Sequence, residues 1–398
     1  MPQTRPRNDD LIIARIAEAL AGAPNLLAAL TSGLPPRDLR SLLLYVLAQR
    51  ALARDPLSFL GDHARGGAVG WSPVDGRAMH AIEGDALGAA DAFEAIDLPP
   101  VVPHGATYAL SGVHPNNVLA AMRGFEVMGD PTIPFALEAA LRRKNPFDRS
   151  TVLRFATVHR VMRMQPTNVA GYRPHFKLFA LATAGRERGA LGFTIDALVE
   201  QIAAHLAFLE RVAKRGYAFG DLTVEVSDTD VVAALLRSHG VEPEAAREEI
   251  RAHELGGSSD FLARHGFTLP RGRLAALDST LPGSRARACS RANLHGSLAP
   301  LSRPLRARIE ALDEELLEVL ARRFPAVSFA CDLSRLEGLG YYSGPCIRIS
   351  ATDPSGARYP LGDGGVLRWT AKLLTDEKER LVTSGIGIEL IAARFKVS

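Results

Sequence analysis

Cysteine is scarce in this chain, with only Cys289, Cys331 and Cys346 among 398 residues. An odd count without any CxxC spacing suggests neither a disulfide framework nor a zinc site, so no metal is assigned and a reducing, cytoplasmic compartment is expected. Charge of one sign is lacking as well. Lys and Arg number 47 against 44 Asp and Glu, a formal net charge of +3, which gives no ground for a polyanionic partner unless basic residues cluster on one face. Near the N-terminus Arg5 and Arg7 are followed by Asp9 and Asp10, not by a long apolar run. Neither a signal peptide nor a membrane span is expected. No GxGxxG or GxxxxGKS/T follows a strand-like segment, which disfavours a plain Rossmann or P-loop enzyme.

The composition that remains is that of a globular protein, 47% hydrophobic, with length for a sizeable core and two or three domains. Apolar residues recur at helical spacing over Leu11, Ile12, Ile16 and Leu20, and again over Leu39, Leu42, Leu43, Val46 and Leu47. Pro35-Pro36 and Asp38 separate the two helices. Residues 1–85 are therefore expected to form an N-terminal helical extension, packed on the main domain or docking a partner, with Gly61 to Asp75 as linker. The segment Asp91 to Asp97 is short and amphipathic and ends at Leu98-Pro99-Pro100.

Further on, Gly124 to Lys144 runs from a strand-like FEVM through Gly-Asp-Pro-Thr into a helix with Ile133, Leu137, Ala140 and Leu141 on one face. Asp130 at the head of that helix suits a cap or a dipole partner, and equally a ligand contact. Thr157 to Gly185 reads as a hairpin with a long loop. Arg163 and Arg160 lie three apart on its first strand and should point to opposite faces. The helix Ile195 to Ala213, the strand DLTVEVSD and a helix from Asp230 to Ser238 follow, then a charged helical stretch. Residues 271–303 read as loop with short helices, in which Arg285 and Arg287 suit a solvated basic loop or an anion contact. Leu305 to Arg323 is an amphipathic helix, and VSFACD a strand.

The last sixty residues carry EGLGYYSGPCIRI (Glu337 to Ile349), SGARYPLGDGG and SGIGIELI. They read as a β-hairpin core closing on a Gly-rich turn and a terminal helix, with a further helix around Trp369, Leu373 and Leu374.

These segments together resemble the catalytic core of class II aminoacyl-tRNA synthetases of the histidyl branch, which includes histidyl-tRNA synthetase and the ATP phosphoribosyltransferase regulatory subunit. The resemblance covers roughly Gly88 to Arg394. It implies an α+β fold, a mixed but mainly antiparallel sheet flanked by helices, over residues 86–398 with a helical insertion at about 241–303. AFEAIDLPPVVP is similar to the dimer-building first motif, which implies a homodimer. Asp130 and Thr132 fall where the family holds the substrate α-amino group, and Tyr341 and Tyr342 match its paired tyrosines, so these four form the expected amino-acid site. Arg163, Gln165, Arg173, His175 and Phe176 match the second motif, and Glu389 the third, which implies an ATP site.

The departures bear on activity. Glu337 stands where the family has an Arg beside the reacting carboxylate and α-phosphate, Gly340 replaces its Asp, and Leu390 replaces the Arg that meets the triphosphate. Removing one such preorganised donor costs on the order of 3 kcal/mol in the transition state, and reversing its sign should cost more. No residue is assigned to catalysis. The chain is also expected to lack the anticodon-binding domain, and with it any tRNA anticodon contact. Two expectations follow from the resemblance. One is a regulator that binds histidine or an analogue without a cofactor and partners the ATP phosphoribosyltransferase catalytic subunit. The other is a tRNA-independent amino-acid ligase using ATP with Mg and a site rebuilt from Asp363, Arg368 or Lys372.

Overall fold

The computed structural model describes residues 25–55, 58–65, 68–121, 123–145, 150–164, 173–252, 258–272 and 298–397. The expected helix Leu11 to Leu20, Gln165, Arg285, Arg287 and Cys289 lie outside these residues. Twelve described strands are numbered in chain order: β1 Glu94–Ala95, β2 Val101–Pro103, β3 Ala120–Ala121, β4 Phe125–Val127, β5 Leu153–Met162, β6 His175–Arg186, β7 Gly220–Asp228, β8 Arg271–Gly272, β9 Ser328–Asp332, β10 Pro345–Thr352, β11 Arg358–Leu367 and β12 Glu379–Gly387.

Nine of them form one sheet in the order β1-β5-β6-β12-β11-β10-β7-β9-β8, and β2-β4-β3 make a small second one. In the large sheet only β1–β5 and β7–β9 pair parallel. The sheet is thus mainly antiparallel and flanked by helices, as expected. Alternation along the central strands sends Ala156, Phe179, Leu181 and Val382 to one face and Phe155, Ala180, Ala182 and Leu381 to the other. On the first face the helix Gly192–Ala213 packs its Leu198, Ile202, Leu206 and Leu209. That helix is long and apolar enough to cross a membrane, but 72% of its most apolar window is buried inside the protein. The helix Thr132–Arg143 and the short helix Trp369–Leu374 cover the second face.

The helix Pro36–Leu52 forms where periodicity placed it, yet none of its residues is buried, and Tyr45, Leu47 and Leu52 are exposed. The next helices behave differently. Ser58–Arg65 occupies part of the expected linker. Gly76–Gly88 spans residue 85 and buries Met79, Ile82 and Ala86 in the main core.

The closing sixty residues depart from the expected hairpin in two places. Tyr341 and Tyr342 lie in a turn, and the strand starts only at Pro345. The turn needs Gly340, whose φ of +74° is left-handed. LGDGG is not a turn but the middle of β11, paired on both sides. A Cβ at Gly365 would lie 2.6 Å from the Tyr342 ring and 2.7 Å from the Cys346 side chain. Glycine in this strand marks a close approach rather than a chain reversal.

Candidate functional site

A cleft of about 660 Å³ opens at the centre of the large sheet. Its walls gather residues from Ser72 to Arg394. Asp130, Thr132, Arg163, Arg173, His175, Phe176, Tyr341, Tyr342 and Glu389, all singled out from sequence, line it together.

Asp130 serves two purposes at once. One oxygen accepts from the Thr132 backbone N–H at 2.9 Å, which holds the start of the Thr132–Arg143 helix. The other accepts from the Tyr341 hydroxyl at 3.0 Å, and Arg163 stands 3.9 Å away. Burial, and then the neighbouring Asp130 charge, push the Tyr341 phenol well above its ordinary pKa, so it remains a donor. Thr132 is buried and its hydroxyl is engaged with Thr383 Oγ1 at 3.0 Å. That bond ties the helix to β12. Tyr342 repeats the first arrangement on a second carboxylate, donating to Asp363 Oδ1 at 2.9 Å. Its phenol is likewise pushed well up, by burial and by Asp363.

The other end is built from β5, β6 and the helix Ile388–Arg394. Arg163, just beyond β5, donates from Nε to the Gly129 carbonyl at 2.8 Å and lies 5.3 Å over the Phe176 ring. Arg160 turns instead to Glu389, at 2.9 Å, and to His175 Nδ1, at 2.8 Å. The second Glu389 oxygen accepts from the Lys177 backbone N–H at 3.1 Å, and His175 Nε2 lies 2.5 Å from the Gly70 carbonyl. Glu389 and His175 are therefore engaged inside the protein.

At Glu337 a negative charge is held in place. Its carboxylate accepts from the Ser258 N–H at 3.3 Å and pairs with Arg348 at 3.4 Å. Burial pushes its pKa up, but the hydrogen bonds from Ser258 and its own backbone, with Arg348, outweigh this and leave it below the ordinary value. A fixed anion therefore faces the cleft at this position. Of the residues considered for a rebuilt site only Asp363 reaches the cleft. Arg368 pairs with Glu377 instead, and Lys372 lies on the Trp369–Leu374 helix away from the lining.

Sequence reading passed over Arg335, which is buried and donates to Asp363 and, at 2.8 Å, to the Ile347 carbonyl. The available signal was a lone Arg two residues before Glu337 in a glycine-rich turn. Among the described residues no group of three or more His, Cys, Asp or Glu is placed to hold a metal ion. Cys331 and Cys346 are free and buried, and burial first of all pushes the Cys346 thiol up to about 12, so neither is a ready nucleophile.

No family model matches the chain, and no curated protein matches it. Solved structures do. An ATP phosphoribosyltransferase regulatory subunit/histidyl-tRNA synthetase from Bacillus halodurans is 18% identical with a TM-score of 0.56, over 79% of this chain and 78% of its own. A histidine–tRNA ligase subunit from Alicyclobacillus acidocaldarius is 19% identical with a TM-score of 0.57, over 85% and 96%. Histidyl-tRNA synthetase from Nostoc is 16% identical with a TM-score of 0.56, over 82% and 73%. With the sheet order and the central cleft, these likenesses identify the fold of this chain as the class II synthetase fold of the histidyl-tRNA synthetase type.

Proposed function

We propose that this chain binds an amino acid without activating it, in the manner of the synthetase-like regulatory subunit of ATP phosphoribosyltransferase in histidine biosynthesis. The observation that carries this is Glu337, a carboxylate pinned by Ser258 and Arg348 where acyl-adenylate chemistry needs a cation. Its support at the other end is that Glu389 is consumed by Arg160 and the Lys177 N–H, while Leu390 lines the cleft as an apolar residue. The amino-acid end keeps what binding needs. Asp130 is an ionic acceptor for an α-amino group, preorganised by Thr132 and Tyr341. Occupancy of such a cleft would bias assembly with a catalytic subunit, the ligand binding one assembly state better than the other. On this reading the protein is a cytoplasmic homodimer.

A second reading keeps ATP. Arg163, Arg173 and Arg394 line the same cleft beside Phe176, a supply of cations and a stacking ring that a nucleotide could use in a tRNA-independent ligase. Amino-acid-dependent ATP–pyrophosphate exchange across the twenty amino acids decides between them. The regulator predicts no exchange with any, together with calorimetric binding of L-histidine and co-elution with a short-form ATP phosphoribosyltransferase. Exchange with even one amino acid sinks it in favour of the ligase.

A further inference from the structure

Residues 70–74 belong by sequence to the linker of the N-terminal extension, yet Ser72, Pro73 and Val74 line the cleft together with His175 and Phe176. One end of this segment is fixed. Val74 packs on the main core, and the Asp75 side chain accepts from the N–H groups of Arg77 and Ala78, each at 3.0 Å, at the start of the helix Gly76–Gly88. The other end hangs on one hydrogen bond, between His175 Nε2 and the Gly70 carbonyl at 2.5 Å. Among the described residues no backbone hydrogen bond joins residues 70–74 to the sheet, and the Val74 N–H is met only by Ser72 Oγ, at 3.3 Å. A segment with so few bonds opens at low cost.

The neighbour of His175 sets the direction of that bond. Arg160 carries donors only and stands 2.8 Å from His175 Nδ1, so Nδ1 accepts and the ring proton sits on Nε2, aimed at Gly70. Glu389, which lines the cleft, holds Arg160 in turn at 2.9 Å. On the outer side Trp71 is 80% exposed, and its ring meets that of His63, on the helix Ser58–Arg65, edge-on with centroids 6.2 Å apart. We infer that Gly70–Val74 is a strap that closes over a ligand in the cleft, latched by His175, and that Trp71 carries the closure to the helix Ser58–Arg65. The inference rests on the reading of the cleft as an amino-acid site and adds the N-terminal unit to it. A ligand that touches Ser72 to Val74 when the strap is closed, and loses that contact when it is open, shifts the strap by the difference in its affinity for the two arrangements. His175 is a positioning residue in this scheme, since it holds a wall of the cleft in place.

Limited chymotrypsin digestion and hydrogen exchange on the full chain test both halves. Cleavage after Trp71 reads the open population of the strap, and exchange reads the helix. L-Histidine, at a concentration that calorimetry shows to be saturating, should slow cleavage after Trp71 roughly tenfold and slow amide exchange in Ser58–Arg65. With no ligand, His175→Ala should speed cleavage after Trp71 roughly fivefold, and more than it speeds cleavage elsewhere in the chain. Trp71→Ala should keep L-histidine binding and lose the response of the helix. Calorimetric binding that leaves cleavage after Trp71 unchanged overturns the strap and leaves the amino-acid site standing, as does a His175→Ala protein cleaved no faster. A helix that responds as before in Trp71→Ala overturns Trp71 as the carrier. Failure of L-histidine to bind removes both readings. Should His175→Ala fail to fold, the ligand dependence of cleavage in the unmodified protein still decides.

Discussion

A neutral imidazole lies under the floor of the cleft. His205 Nε2 is 2.8 Å from Ser384 Oγ, and Ser384 donates on to Gln201 Oε1 at 2.6 Å. The chain of donors fixes the proton on Nε2 and leaves Nδ1 without a partner among the described residues. Full burial lowers the His205 pKa from 6.5 to about 3. Between those values the unfolded chain binds a proton that the folded one does not. The site's contribution to stability is therefore complete above pH 6.5 and is lost as pH falls towards 3, by up to ~1.4 kcal/mol per pH unit. Urea unfolding at pH 7 and pH 5 should show the unmodified protein losing about 2 kcal/mol more than His205→Gln. Equal losses would remove His205 as the cause. This histidine was not singled out from sequence because Leu198, Ile202, Leu206 and Leu209 account for the apolar period by themselves. Gln201 and His205, four apart on that apolar stripe, were the missed sign of a polar joint.

A second joint between helix and sheet is equally polar. Arg143, at the end of the Thr132–Arg143 helix, pairs with Glu379 at the start of β12 through Nε at 2.7 Å and Nη2 at 3.0 Å. Both side chains are buried, at 1% and 0% exposure. Asp130 precedes the other end of the same helix and accepts from its first N–H, so the pair anchors the element that positions Asp130. Glu379→Ala removes the carboxylate that offsets a buried guanidinium charge and should cost ~3–5 kcal/mol, whereas Arg143→Met with Glu379→Leu should be near neutral. A fall in the urea midpoint as large in the double variant as in the single one would refute this. Elements such as β7, β9 and the helix Gly192–Ala213 were legible in sequence because each carries apolar residues over the length and in the residue types that its structure needs. The tyrosine turn and β11 were not. Glycine there answers to a neighbouring ring across the sheet, a long-range fact that local pattern does not contain.

For the whole molecule, the gathering of Asp130, Arg163, Phe176, Tyr341 and Tyr342 around one cleft was foreseeable because motif resemblance carries spatial order that periodicity lacks. What surrounds that cleft was harder to read, since partner surfaces look like ordinary exterior in sequence. The small β2-β4-β3 sheet and its neighbours leave Tyr108, Leu119, Phe125 and Leu141 exposed. Strand β2 of this sheet closes the segment AFEAIDLPPVVP, the one similar to the dimer-building motif, and β4 leads into Asp130. Burying a Leu or Phe against a second copy contributes ~1.5–3 kcal/mol each, enough for a few such residues on both sides of a two-fold to hold a dimer. Light scattering at micromolar concentration should therefore give twice the chain mass, and Phe125→Glu should shift the protein towards monomer while thermal unfolding stays cooperative. A monomer before substitution would exclude the dimer. A dimer untouched by Phe125→Glu would move its interface elsewhere, with the exposed helix Pro36–Leu52 as the next surface to probe.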